Sequence, residues 1–386
     1  MEFGIPWPEF NDGLSYTDTV KSTSTPPTLI DFYSSRYESS APRKGWLQRI
    51  HNGQITVDGK TVNEPDTVLR IGPKLVYHRL SWREPIAPCK LYVLFEDDHL
   101  LAVNKPSGLQ VLPGGLFQQR TVLTQLKWKA SQSSKYRSVA GKAVADFQES
   151  QPVPVHRLGR GTSGILLCAK SEIAKSQLAA DFADGTSFIS RNSSSDIDAG
   201  EIKRRIYKTY RALADGIIEQ NKIAIKQPIG KMRYPGVRSG LYVASPTGKQ
   251  AESRITVLSR DKNRNCTLVE VEIYSGRPHQ IRIHLSFIGH PLLGDPLYVA
   301  GGRPSITVSD SYSESREGDN FAEDGGYQKP LNPVPGDCGY YLHAYRLAFH
   351  HPVSDEVVEI VAPPPPMLSA CNEDAGLDDL AHNKGF

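Results

Sequence analysis

The residues best equipped for chemistry gather in three short segments. The first, His156-Arg157-Leu158-Gly159-Arg160-Gly161-Thr162-Ser163-Gly164, mixes cationic and hydroxyl side chains with three glycines. Glycines at that density permit tight backbone turns close to a ligand. Glycine count alone, however, favours an ordinary connector between strands. The second, Arg205-Ile206-Tyr207-Lys208-Thr209-Tyr210-Arg211-Ala212, carries Tyr210, whose ring can stack and whose hydroxyl can move a proton. A lone strand tyrosine is more often packing. The third, Gly276-Arg277-Pro278-His279-Gln280-Ile281-Arg282-Ile283-His284-Leu285, places Ile281, Leu285 and Ile288 on one apolar helical face, with Arg282 projecting elsewhere. The chain has no P-loop, no dinucleotide fingerprint and no His/Cys ligand cluster, so no cofactor and no metal are expected.

Taken together, the run His156–Lys170, the strand around Tyr210 and the stretch Gly276–Tyr298 resemble the RluA family of RNA pseudouridine synthases. The segment Asn104-Lys105-Pro106-Ser107-Gly108 is similar to that family's entry loop. The resemblance implies an isomerase that flips a uridine out of structured RNA, tRNA or rRNA, breaks its N1–C1′ bond and rejoins the base through C5. No redox step, metal or phosphate energy is needed. It implies Tyr210 against the flipped uracil and Arg282 inside the site. His156, Arg157, Arg160, Thr162, Ser163, Arg277, His279 and Gln280 would line the RNA. Two positions depart from the pattern: Gly159 stands where the family carries its catalytic aspartate, and Pro278 where it usually has threonine. Glycine supplies no carboxylate to act at C1′. Arg282 would also lose its counter-ion, and a buried unpaired guanidinium costs several kcal/mol, so another group must compensate. Asp98, Asp146 and Asp295 are available. Without an acid at position 159, a catalytically silent RNA-binding protein or RNA chaperone is the alternative to an enzyme.

The elements around these segments read as a mixed, largely antiparallel α+β fold. Residues 1–28 are Pro-, Ser- and Thr-rich and are expected to be a poorly ordered tail. Over 29–83 a helix at Gly45–Ile50 and a hairpin turning at Asp58-Gly59 suggest a small α/β module. It resembles the S4-like RNA-binding unit that often precedes this family's catalytic domain, and Arg49 and Lys60 would face RNA. Arg83–Pro88 reads as a linker, and 90–366 as the pseudouridine synthase catalytic domain. Inserted loops are expected at 186–200 and 301–339, and a flexible tail at 367–386. Strands are expected at Leu91–Phe95, Leu100–Val103, Lys208–Ala214, Leu268–Tyr274 and Leu342–Phe349. A helix is expected from the spacing of Ile173, Ala174, Leu178 and Phe182, capped by Ser171 and ended by Gly185.

With 386 residues, 39% hydrophobic and 23% charged, the chain is large enough for two units. A net charge of +3 is mild for an RNA binder, but acids concentrate around Ser309–Asp324 and after Glu373, leaving a more basic body. Five widely spaced cysteines without a CxxC pair argue against a disulfide framework or zinc site and for reducing conditions. No apolar run approaches membrane-spanning length, so no membrane partner is expected. The start has neither a secretory nor a transit signature, which leaves a cytoplasmic or nuclear monomer.

Overall fold

The computed structural model describes residues 1–21, 25–38, 40–139, 151–191, 205–234, 237–305, 321–323, 328–330 and 337–370. Among them, residues 1–6, 86–305 and 337–370 form a larger unit, and 7–85 the body of a smaller one. The boundary after Pro85 falls in the proline-rich stretch read as a linker.

The larger unit is built on an 11-stranded sheet. Its main path runs Glu2–Phe3, Leu91–Glu96, Leu100–Lys105, Ser163–Ala169, Leu342–His350, Ile206–Asp215, Cys266–Ile273, Ser253–Asp261, Lys222–Ile225. Its ladders are antiparallel except one: Ser163 and Gly164 pair in parallel with His343 and Ala344. That parallel contact joins the strand after the signature loop to Leu342–His350, while its other edge lies antiparallel on Leu100–Lys105. Ala344 also pairs with Tyr210, and Tyr210 with Val271, so Gly164, Ala344, Tyr210 and Val271 form one row across four strands.

Alternation sorts the faces. Val269, Val271 and Ile273 are buried while Glu270 and Glu272 point the other way. The buried face receives the helix Gln280–Phe287, whose Ile281 and Leu285 pack with Ala212, Val271, Tyr340 and Leu342. By contrast Ser163–Ala169 is buried on both sides, which explains its continuous apolar run. One side meets Ala174 and Leu178 of the helix Glu172–Arg191. The Ser171 hydroxyl accepts the Ala174 N–H at 3.2 Å, as a cap should. This helix runs on through Gly185 instead of ending there. A mid-helix glycine costs only about 1 kcal/mol, which continued backbone bonding outweighs.

In the smaller unit a four-stranded sheet, ordered Leu14–Thr19, Lys74–Arg79, Ile55–Val57, Lys60–Thr61, packs with the helices Leu29–Arg36 and Arg43–His51. Trp46, Tyr33, Tyr77, Leu29, Ile30 and Ile50 form its core. Asp58 and Gly59 have φ of 49° and 81°, the left-handed pair that a tight two-residue hairpin demands. The expected tail at 1–28 is corrected here. Leu14–Thr19 is an edge strand on Lys74–Arg79, with Tyr16 stacked 5.8 Å from Tyr77, and Glu2–Phe3 pairs with Leu91–Tyr92 in the other sheet. Composition suggested disorder, but a neighbouring strand edge supplied the hydrogen bonds. Part of the expected loops at 186–200 and 301–339, and all of the tail from 371, lie outside the described residues. Among the described residues no helix is long and apolar enough to cross a membrane.

Candidate active site

Helix Gln280–Phe287 lays its apolar side on the sheet and so turns Arg282 into the protein, where it is 2% exposed. Its Nε and Nη2 donate to the two carboxylate oxygens of Asp295, each at 2.7 Å. Nη1 donates to Asp337 at 2.9 Å. The guanidinium also stands 4.3 Å from the Tyr340 ring centre and 5.0 Å from that of Tyr298. Burial works against its charge, yet the bonds to Asp295 and the surrounding Tyr340, Asp295 and Asp337 hold its pKa above the ordinary arginine value. The demand for a compensating acid is therefore met twice. Asp295, one of three acids weighed from the sequence, forms the buried fork and also accepts the Leu297 and Tyr298 N–H groups. Asp337 was not among the three. Asp98 lies instead in the turn after Leu91–Glu96, and Asp146 falls outside the described residues.

The signature loop lies against this cluster. Gly161 N–H donates to the Asp337 carbonyl at 3.1 Å, and Thr162 Oγ1 sits 3.4 Å from the Tyr340 hydroxyl. A Cβ on Gly161 would come within 2.7 Å of the Asp337 carbonyl and 2.8 Å of the Tyr340 ring. On Gly159 it would stand 3.0 Å from the Tyr340 hydroxyl. The entry loop braces the other side: Ser107 Oγ donates to the Gly161 carbonyl, and buried Lys105 donates to the carbonyls of Pro106, Leu109 and Arg160. Burial pulls the Lys105 ammonium down to about 7 despite nearby Cys338 and Asp337.

Residues 99–287 match the family model described as RNA pseudouridylate synthase. The chain is 57% identical to RNA pseudouridine synthase 5 of Arabidopsis thaliana over 95% of its own length and 97% of that protein. It is 55% identical to RNA pseudouridine synthase 5 of Oryza sativa, over 96% and 92%. Against Ribosomal large subunit pseudouridine synthase D of Vibrio vulnificus it is 27% identical, over 96% and 97%. The chain belongs to the RNA pseudouridine synthase family, of the RluA type.

For a pseudouridine synthase, the remaining predicted site residues divide by what they touch. Tyr210 is half-buried and packs against the cluster that includes Ile281, Leu285 and Tyr340, which puts it on the face that carries the Arg282 helix. Burial pushes its phenol up to about 12. Tyr207 faces the other side of the sheet, in a groove of about 880 Å³ with Arg205, Arg254, Glu270 and Arg346. Arg157 is exposed, and Arg160 lies over the Phe117 ring at 5.0 Å. Arg277 donates to the Gln250 carbonyl.

Several residues expected to touch RNA are committed inward. His156 stacks on Phe182 and its Nε2 accepts the Leu167 N–H at 3.0 Å, and burial with Lys208 nearby drives its pKa down to about 3. Ser163 bonds His343 Nδ1 at 2.8 Å. Gln280 is 3% exposed, with its amide engaged by Ser275, Arg277, Glu252 and Ser253. His279, at φ 56°, meets the Tyr298 hydroxyl at 2.8 Å. In the smaller unit Arg49 is buried between Trp46 and Tyr77 and donates to Ser40, which corrects its assignment as an RNA contact. Lys60 is exposed at the hairpin turn. Sequence reasoning missed Asp337 and Tyr340, which sit in a Gly-rich stretch without periodicity, and the buried role of Lys105.

Proposed function

We propose that this protein isomerises uridine to pseudouridine in structured RNA, tRNA or rRNA, after flipping the base from its stack. The observation that carries this reading is Arg282, held by Asp295 and half-exposed Asp337 beside the Gly159 loop. The N1–C1′ bond breaks, the base turns, and C5 bonds C1′ as its proton leaves, so the chemistry is an isomerisation. Tyr210, with its phenol pushed up to about 12, stays protonated at neutral pH and serves as a stacking ring and hydrogen-bond donor. The exposed Arg157 and Lys60 supply phosphate contacts, the latter from an S4-like module over residues 29–83. Free, partly buried cysteines suit the cytosol or nucleus, and the protein works as a monomer.

The test is release of tritium from [5-³H]uridine in tRNA and rRNA transcripts by the purified full chain. Turnover is expected with wild type and a loss on the order of 10²-fold with Arg282→Ala. Equal release from free uridine monophosphate overturns RNA as the substrate.

A further inference from the structure

We propose that Asp337 is the catalytic carboxylate of this chain, delivered from the segment entering the strand Leu342–His350 in place of the acid missing at Gly159. The assignment rests on the pseudouridine synthase reading above.

Two carboxylates hold Arg282, and only one is placed to serve a substrate. The Asp295 side chain is 0% exposed, and its oxygens are taken by the guanidinium fork and two backbone N–H groups. The Asp337 side chain is 42% exposed while still bonding Nη1 at 2.9 Å. It therefore combines a fixed position with access to the surface beside the loop. Its backbone is tied to that loop as well, through the Gly161 N–H to the Asp337 carbonyl.

The loop and the segment 337–340 are shaped to each other. Gly161 leaves no room for a side chain, since a Cβ there would strike both the Asp337 carbonyl and the Tyr340 ring. At Gly159 the Tyr340 hydroxyl lies 3.0 Å from where a Cβ would stand, so an aspartate there would force Tyr340 to shift. The segment that fills this space is the one that carries Asp337 and brings it to Arg282. A loop without an acid at 159 and a crossing segment that carries one at 337 thus fit a single geometry.

The chemistry balances without a co-reactant. The electron pair of the N1–C1′ bond leaves with the base, and the Asp337 carboxylate offsets the positive charge growing at C1′. C5 of the rotated base then donates its pair to C1′. The C5 proton passes to solvent and N1 takes one up. No bond to the protein is required.

Single-turnover tritium release from labelled transcripts by the full chain tests the assignment. Asp337→Asn is expected to slow release on the order of 10²-fold, with RNA affinity held within about twofold. Asp337→Glu, which keeps the charge, is expected to exceed Asp337→Gln. Gly159→Asp combined with Tyr340→Phe is expected to restore part of the rate to Asp337→Asn. Wild-type turnover with an equally active Asp337→Asn overturns the assignment alone. If Asp337→Asn does not fold, equal rates for Glu and Gln overturn it. A wild-type chain that makes no pseudouridine overturns the reading of function and this assignment together.

Discussion

An arginine that is 2% exposed survives because its donors are matched, in two directions, by acids. The fork to Asp295 is the structural half of that arrangement, because Asp295 is itself sealed and also caps the turn at Leu297 and Tyr298. Asp295→Ala leaves a buried guanidinium with one partly exposed partner. The expected cost is about 3–5 kcal/mol, read as a lowered urea midpoint of the larger unit. A loss below about 1 kcal/mol would mean that Asp337 alone satisfies Arg282. Sequence reasoning reached as far as the need for a substitute acid and included Asp295 among three options. It could not reach Asp337, since nothing local in a glycine-rich stretch marks which residue a distant loop will touch.

At the level of elements, the site depends on how Ser163–Ala169 meets Leu342–His350. Gly164 has φ +104°, and a Cβ on it would fall 2.3 Å from the Ala344 carbonyl and 2.6 Å from the Ala344 nitrogen. Gly164→Ala is therefore both strained and overpacked. It is expected to cost about 3 kcal/mol or more in urea unfolding, with turnover falling alongside as the row Gly164, Ala344, Tyr210 loses register. Wild-type stability in that variant would show that the parallel contact is dispensable. The strands were legible because Val269, Val271 and Ile273 alternate with glutamates and Ile165–Ala169 is uniformly apolar. Their order was not, because the parallel pairing joins residues far apart in the chain. Leu14–Thr19 is illegible in the sequence for a related reason: its composition carries little strand signal, and its pairing with Lys74–Arg79 makes it a strand.

Across the larger unit, imidazoles are buried in several places at once, and this fixes how the whole unit responds to acid. Burial, with Lys208 nearby, lowers His156 to about 3; burial and Arg282 lower His279 to about 4; burial lowers His284 to about 4 against its bond to the Gln227 carbonyl. Burial lowers His343 as well. Their ordinary value is 6.5. Between pH 6.5 and about 4 the unfolded chain therefore binds protons that the folded one refuses, so stability must fall as pH falls through that window. Other groups leave most of it clear. Glu96, lowered by Lys129 and Lys170 despite its burial, keeps its contribution above its ordinary value of 4.5. Lys105, at about 7 in the fold, adds to the decline near pH 7 and is protonated in both states below about pH 6. Urea midpoints for the larger unit measured at pH 7, 6 and 5 are expected to decline at each step. His284 is engaged on both sides, by Ser253 and the Gln227 carbonyl, so the imidazole is fixed in place and its neutral form is set by the packing. A midpoint unchanged from pH 7 to 5 would mean that these histidines accept protons in the folded state, and that the region around His279 and Arg282 is wetter than its burial indicates.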